Sequence, residues 1–354
     1  MSLGKLGKLL KEKKLEGTHP SGATRHYLNT GYPPLNEIIS GDHRKGLPSG
    51  QVVMIAGPSA CGKTMISTQL MISAQKQGGF AAFIDYETQY QMELAIKQGL
   101  DPDEEKFQYY KPDTFEEGVT DSIKLAKLIR ENDIIPKDAP ICFIFDSLHA
   151  MTPQSKYDSI MGKQGALAKG ERISMHDNYA LSAACSGWFA SISREYDKLG
   201  VTGVFLNQVR VKLDSYGNEI YTFPGGDAPY FYSSTVLVLT AKDEYIGKGD
   251  DKLLFRKDIK ALTKKSRNTM PMQNVHWDFR FNEDGTGNFD VITSYTNHLL
   301  DIGAIETAGA WIKFMGQSIQ GRDKVIDYFR NQENGLEQLI AIHDAHVAKA
   351  VVEA

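Results

Sequence analysis

An eight-residue glycine-rich motif constrains the fold of this 354-residue chain more than any other feature. It reads Gly57-Pro58-Ser59-Ala60-Cys61-Gly62-Lys63-Thr64 and has the spacing G-x-x-x-x-G-K-[ST]. An apolar run, Val52–Ala56, precedes it, and a helical pattern over 63–77 follows. In such a strand–loop–helix unit, backbone N–H groups and the helix N-terminus bind phosphate oxygens. We therefore expect all eight residues to bind ATP, with Lys63 at the β/γ-phosphates and Thr64 at Mg²⁺.

Repeated strand and helix patterns predict the fold class. The remaining apolar runs of strand length are Ala81–Ile84, Ile141–Phe145, Val201–Leu206 and Val236–Leu239. Helical patterns over 90–98, 115–132 and 172–199 lie between them. This alternation predicts an α/β core with a mostly parallel, twisted sheet flanked by helices.

Two shorter segments flank the predicted core. Residues 1–17 have leucines at helical spacing between lysines, which predicts a basic amphipathic helix followed by a polar linker. After residue 295 the pattern becomes helical and more polar. We therefore expect an N-terminal subunit contact over 1–30, a core over 31–295 and a small α-rich C-terminal domain over 296–354.

Composition excludes several classes of protein. No apolar run reaches the roughly 18 residues of a membrane helix, and no secretory signal pattern opens the chain. Three scattered cysteines, Cys61, Cys142 and Cys185, do not form a disulfide framework, so we expect a reducing cytoplasm. The net charge of −4 does not exclude nucleic-acid binding, which depends on local basic clusters. His343 and His346, at i,i+3 spacing on a predicted helix, are interpreted as part of a solvated helix face, with metal binding as the less favoured alternative.

Acidic residues follow two of the predicted strands. Asp146 ends Ile141–Phe145, where a carboxylate can hold the Mg²⁺ shell. Glu87 closely follows Ala81–Ile84 and is the candidate base that polarises water for attack on the γ-phosphate, with Asp85 as a competitor for that role.

A long polar segment follows Val201–Leu206 and Asn207. Gln208 begins this segment and is expected to contact the γ-phosphate, so that the segment after it responds to the presence of that phosphate. The segment from Val209 to Pro224 mixes basic and aromatic residues, namely Arg210, Lys212, Tyr216 and Tyr221. That mixture suits a polynucleotide backbone and its bases, although a solvated loop is the alternative.

The order of these motifs resembles the RecA family of recombinases, including its phage strand-exchange branch, from about Asn29 to about Arg330. The matching stretches are Gly46-Leu-Pro-Ser-Gly-Gln, Ile84-Asp85-Tyr86-Glu87 with Lys97-Gln98-Gly99-Leu100-Asp101, Phe145-Asp146-Ser147 with Met151-Thr152-Pro153, Asn207-Gln208-Val209-Arg210 with Gly225-Gly226-Asp227-Ala228, and Ala308-Gly309-Ala310-Trp311 with Gly316 and Gly321.

The resemblance implies a DNA-dependent ATPase that forms a homo-oligomeric filament on single-stranded DNA and pairs it with duplex DNA. It assigns water activation to Glu87 and γ-phosphate coupling to Gln208. Arg210, Gly225 and Gly226 would contact DNA. Lys265 and Arg267 would reach a neighbouring subunit's ATP, stabilising transition-state charge in trans. Single-strand-binding and loader proteins are implied partners.

Some positions depart from the family pattern. Leu94 stands where the bacterial protein has an adenine-stacking tyrosine, and Ser59 replaces a glutamate of the phosphate loop. The first DNA loop is longer than usual, and it contains Lys156, Lys163, Lys169 and Arg172. The alternatives are a hexameric helicase of the same core, although residues 1–30 are short for a ring-forming domain, and another DNA-stimulated P-loop ATPase.

Overall fold

The computed structural model describes residues 26–162, 165–169, 179–213, 215, 219–247, 252–281 and 287–353. The predicted helix over 1–17 lies outside these residues, as do Lys163, Arg172 and Tyr216. The strands are β1 (Tyr27–Leu28), β2 (Leu47–Pro48), β3 (Val52–Ala56), β4 (Phe80–Asp85), β5 (Phe107–Tyr110), β6 (Ile141–Asp146), β7 (Val201–Asn207), β8 (Arg210–Leu213), β9 (Glu219–Thr222), β10 (Thr235–Ile246), β11 (Leu253–Ser266), β12 (Asn274–Phe281), β13 (Gly287–Phe289), β14 (Glu306–Ala308), β15 (Trp311–Phe314) and β16 (Gln317–Gln320).

Helices cover the sheet and form much of the C-terminal region. They are α1 (Pro33–Ser40), α2 (Lys63–Lys76), α3 (Met92–Lys97), α4 (Phe115–Glu131), α5 (Gln154–Met161), α6 (Ala166–Lys169), α7 (Ala180–Leu199), α8 (Asp227–Tyr232), α9 (Val291–Asp301), α10 (Arg322–Arg330) and α11 (Gly335–Glu353), with one 3₁₀ turn over Leu148–Ala150. None of them, among the residues described, is long and apolar enough to cross a membrane.

A nine-stranded sheet in the order β13-β12-β11-β10-β3-β7-β6-β4-β5 forms the core. The strands from β10 to β5 run parallel, and β11, β12 and β13 extend the β10 side as antiparallel strands. The predicted α/β class with a mostly parallel sheet flanked by helices is confirmed.

Helices on both faces explain why the central strands are apolar throughout. Along β3, Val53 and Ile55 belong to one hydrophobic cluster, and Val52 and Met54 belong to the other. Successive side chains of a strand point to opposite faces, so each face needs its own apolar residues. The loops that follow these strands therefore extend from a rigid, fully buried layer.

The structure corrects three element predictions. The segment 209–224 is not a loop throughout, because β8 and β9 pair as an antiparallel hairpin. Strand Val236–Leu239 continues to Ile246 and pairs with β11, a long hairpin that the apolar runs did not reveal because its outer half is largely exposed. The helix predicted over 172–199 is observed from Ala180, and 170–178 lie outside the described residues.

The region after residue 290 combines helices with a small sheet. The predicted boundary at 295/296 falls inside α9, and β14, β15 and β16 form a three-stranded antiparallel sheet that the helical pattern did not predict. Its turns contain Gly309, Met315 and Gly316, all at positive φ. Apolar side chains of this region, such as Leu299 and Phe329, join the hydrophobic cluster on one face of the main sheet.

Candidate functional site: a nucleotide cleft connected to a polynucleotide cleft

The glycine-rich motif forms the turn between β3 and α2, as its sequence predicts. Gly62 has a φ of +88°, a conformation that side chains other than glycine rarely adopt. At Gly57 a Cβ atom would lie 2.6 Å from Cys61 Sγ and 2.8 Å from Leu239 O, so only glycine fits. Pro58, Ser59 and Ala60 are exposed, whereas Cys61 is buried beneath the turn.

A cleft of about 520 Å³ opens beside this turn. Residues predicted for nucleotide binding and hydrolysis line it together: Ser59, Ala60, Cys61, Gly62, Lys63, Thr64, Glu87, Asp146 and Gln208. Lys63 Nζ donates to Gly57 O at 3.0 Å and to Pro58 O at 2.8 Å, within its own loop. Leu94 and Tyr90 line the same cleft.

Thr64 and Asp146, the two residues predicted to bind Mg²⁺, are in contact with each other in this cleft. Thr64 Oγ1 donates to Asp146 Oδ2 at 3.3 Å. Burial raises the pKa of Asp146 to about 7, and the neighbouring carboxylates of Glu87 and Asp85 contribute to the rise. A hydroxyl and clustered carboxylates are the oxygen ligands that Mg²⁺ prefers. The residues present therefore fit a magnesium ion.

The hydrogen bonds of Asp85 separate its role from that of Glu87. Asp85 is buried, and its carboxylate accepts from the backbone N–H groups of Glu87, Thr88 and Tyr90 and from Tyr109 Oη at 2.8 Å. A carboxylate with four donors holds the turn after β4. Glu87, in contrast, lines the open cleft, where water has access.

A chain of hydrogen bonds leads from Glu87 to Gln208. Ser147 Oγ donates to Glu87 Oε1 and lies 2.5 Å from His149 Nδ1. Gln208 Nε2 lies 2.9 Å from His149 Nε2. The chain is consistent when the neutral imidazole carries its proton on Nδ1, donates to Ser147 and accepts from Gln208. Burial lowers the pKa of His149, Glu87 opposes this change, and the nearby cations Lys63 and Arg210 lower the pKa further. The net lowering favours the neutral form.

A second cleft of about 470 Å³ lies on the other side of His149. The residues that line it include Lys156, Arg210, Gly225 and Gly226. Arg210 is exposed at the start of the β8–β9 hairpin, whose first strand also contains Lys212. A Cβ atom at Gly226 would lie 3.1 Å from Ser182 Oγ, and φ is +74° there, so both space and backbone conformation favour glycine. Arg210, Gly225 and Gly226 are thus brought together as predicted.

Lys265 and Arg267 lie apart from these residues, at the end of β11. Lys265 Nζ donates to Tyr230 O at 2.9 Å and to Phe231 O at 2.7 Å. Arg267 Nη2 lies 3.4 Å from Phe231 O. Burial lowers the pKa of Lys265, and Arg267 lowers it further. Neither side chain lines the nucleotide cleft of its own chain.

Comparison with known proteins gives the family. The model of the RecA N-terminal domain matches residues 34–286. The chain belongs to the RecA family. It is 28% identical to protein RecA of Thermus aquaticus over 84% of this chain and 79% of the relative. For protein RecA of Clostridium tetani the identity is 30%, over 83% of this chain and 76% of the relative. The predicted family is confirmed, and the chain is a RecA-type recombinase.

Sequence reasoning missed His149 in this RecA-family site. It is one residue in the short turn between Asp146 and Pro153, and its type alone gave no signal of a role. Its position after β6 was the available signal, since Glu87 and Gln208 follow the adjacent strands β4 and β7. Side chains that leave neighbouring parallel strands at the same edge come into contact.

Proposed function

We propose that this RecA-family protein is an ATP-dependent DNA recombinase that assembles on single-stranded DNA, pairs it with a homologous duplex and exchanges strands. The observation that carries the proposal is the hydrogen-bonded chain from Glu87 through Ser147 and His149 to Gln208. It connects the cleft suited to ATP with the cleft suited to DNA. A protein that only hydrolysed ATP would have no use for such a connection.

At the nucleotide end, the motif residues bind the phosphates, and Lys63 stabilises charge that develops on the β/γ oxygens. Thr64 and Asp146 hold Mg²⁺, which neutralises phosphate charge when bound. Glu87 orients and deprotonates the attacking water. Asp85 takes no part in proton transfer, because its carboxylate already accepts from backbone and Tyr109 donors.

At the DNA end, Arg210, Lys212 and Tyr216 contact the polynucleotide from the hairpin segment, and Gly225 and Gly226 allow the backbone to approach closely. Gln208 senses the γ-phosphate from the nucleotide cleft. Gln208 also binds His149. A shift of the Gln208 side-chain amide therefore reorients the residues at the start of the β8–β9 hairpin. The same shift changes the hydrogen bonds that connect His149 to Glu87 through Ser147. ATP binding then favours the hairpin conformation that binds DNA, and hydrolysis of ATP lowers the affinity for DNA.

The filament supplies the remaining cations. Lys265 and Arg267 are held at the surface by carbonyls of α8, next to the exposed Phe231. We infer that they approach the ATP of a neighbouring subunit, where they complete the site only in the assembled filament. The basic segment 1–30 would make a further subunit contact, the core would begin at residue 31, and the C-terminal domain would begin with α9 (Val291–Asp301) and not inside it. A cytoplasmic location and helper proteins that load or clear the filament fit this function.

Two measurements test the proposal. Electron microscopy with single-stranded DNA and a non-hydrolysable ATP analogue should show helical filaments. Closed rings would favour a hexameric helicase, and unassembled monomers would contradict the proposal. ATP turnover should rise when single-stranded DNA is added, and equal turnover with and without DNA would also contradict it.

A further inference from the structure

We propose that Glu37, His298 and His343 form a binding site for a divalent transition-metal cation, for which Zn²⁺ is the probe. Glu37 lies on α1, His298 on α9 and His343 on α11. These helices are far apart in sequence and meet on one face of the molecule. The site shares no residue with either cleft of the recombinase site.

The distances fit a single cation. His343 Nε2 lies 3.4 Å from Glu37 Oε2, and His298 Nε2 lies 3.8 Å from the same oxygen. All three ligand atoms are within 4.8 Å of one another. Tetrahedral zinc with bonds of about 2.0–2.2 Å places its ligands about 3.3–3.6 Å apart. A cation would therefore fit between the three atoms with only small side-chain shifts.

Two imidazole nitrogens at this position have no hydrogen-bond partner. The Nε2 atoms of His298 and His343 are both buried and unsatisfied, and His343 is 0% exposed. Buried polar atoms in proteins almost always have a partner, and an unsatisfied one needs an explanation. Coordination of a metal by both nitrogens supplies that partner.

The surroundings orient His343 as a ligand. Tyr295 Oη lies 2.9 Å from His343 Nδ1, which leaves Nε2 directed toward Glu37. The ring of His43 stacks on the ring of His343 with centroids 4.1 Å apart. Such outer contacts fix the tautomer and the ring plane of metal-binding histidines. The sequence interpretation of His343 as part of a solvated face is wrong, because α11 turns this residue into the interior while His346 lies at its edge.

The cluster is reachable from solvent. The side chain of Glu37 is 33% exposed and that of His298 is 21% exposed, which provides a path for the ion and a position for water as the fourth ligand. Two imidazoles and one carboxylate suit zinc and similar borderline cations better than Mg²⁺.

Titration of the full-length, tag-free protein with ZnCl₂ tests the site. The protein is first treated with EDTA and contains no nucleotide, so that the magnesium site does not compete. Isothermal calorimetry should give one zinc ion per chain with micromolar or tighter affinity. Zinc at about a hundredfold over Kd should raise Tm by about 4 °C. Bound Co²⁺ should show the visible bands of a tetrahedral site.

Variants assign the binding to these residues. Glu37→Gln and His298→Gln should each weaken zinc binding at least tenfold and remove the tetrahedral Co²⁺ bands. Tyr295→Phe, which alters only the outer contact of His343, should weaken binding less. The matched control His346→Gln changes a histidine on the same helix outside the cluster and should bind zinc like the unmodified chain.

Circular dichroism and ATP binding verify that each variant is folded. Absence of stoichiometric zinc binding by the unmodified protein would overturn the proposal. Unchanged affinity in both Glu37→Gln and His298→Gln would overturn it as well, because zinc would then bind elsewhere. Neither result bears on strand exchange, which is measured separately.

Discussion

The ionisation of Asp146 makes the free energy of unfolding depend on pH, and a single substitution tests this dependence. We predict that Asp146→Asn stabilises the nucleotide-free protein at pH 8 while it removes Mg²⁺-dependent ATP hydrolysis. The pKa of Asp146 is raised from 3.8 to about 7 by burial and by the nearby Glu87 and Asp85. Its pKa is thus higher in the folded than in the unfolded state, so this stabilising contribution is present below about pH 4 and is lost as the pH rises through 7.

The magnitude follows from the two pKa values. A difference between 3.8 and about 7 corresponds to about 4 kcal/mol of lost stability above pH 7, at 1.36 kcal/mol per pH unit. Asp146 is partly exposed to solvent, which screens the carboxylates, so we expect about half of this value. Asparagine has no charge to desolvate and still accepts from Thr64. Asp146→Asn should therefore raise Tm by about 3 °C at pH 8.

Thermal unfolding followed by circular dichroism in EDTA, between pH 4 and pH 8, measures the effect. The difference in Tm between variant and unmodified protein should grow up to about pH 7 and then level off. Asp85→Asn is the matched control, because this carboxylate accepts four hydrogen bonds and its loss should lower Tm at every pH. A lower Tm for Asp146→Asn at pH 8, or a difference independent of pH, would refute the reasoning.

Five further substitutions, at four residues, test the proposed roles. Lys63→Ala should lower ATP turnover by about a hundredfold or more, and turnover at the original rate would contradict the phosphate role. Glu87→Gln should lower kcat by about 10²–10⁴-fold with little change in ATP affinity, as calorimetry with a non-hydrolysable analogue would check. His149→Ala should lower the stimulation of ATP turnover by DNA about tenfold, with an unchanged KM for ATP, and His149→Gln should retain part of the stimulation. Equal stimulation in the unmodified protein and both variants would exclude a role of His149 in connecting the two clefts. Arg210→Ala should weaken DNA binding, measured by fluorescence anisotropy, and reduce the slope of affinity against salt by about one, with nucleotide affinity unchanged.

The sequence predicted those features whose causes are local. Strand β3, the turn after it and helix α2 depend on a contiguous motif, so their positions were correct to within one residue at the helix end. The parallel strands β4, β6 and β7 and the inner part of β10 were also found, because burial on both faces requires a continuous apolar run. Their ends agree with the prediction to within one residue, except for the far end of β10. The edge strand β5 was not predicted, because Phe107 is its only buried residue.

Features that depend on distant partners were not predictable. The preference for Glu87 over Asp85 as the candidate base depends on Tyr109. This residue lies on the neighbouring strand β5 and donates a hydrogen bond to the carboxylate of Asp85. The role of His149 depends on Gln208, which follows another strand. The burial of His343 depends on how α11 packs against α1 and α9, which spacing within one helix does not specify.

The sequence contained signals for the short strands β14, β15 and β16 near the C-terminus, namely glycines at the positions of their turns. Met315 and Gly316 have φ values of +47° and +76°, as the two central residues of a tight hairpin require. Gly309 and Gly316, one in each turn, indicated turns of a sheet. The polar composition of the strands instead favoured helix, because these strands are mostly exposed.

The order of the strands in the sheet determines which parts of the site can change in sequence during evolution. Glu87, His149 and Gln208 follow β4, β6 and β7, which are adjacent in the sheet. Neighbouring strands are about 4.8 Å apart, so these three side chains span only two such steps, about 10 Å. The hairpin beyond Gln208 can therefore lengthen, shorten or change its residues over evolutionary time, while the spacing of Glu87, His149 and Gln208 stays fixed by the backbone of the sheet.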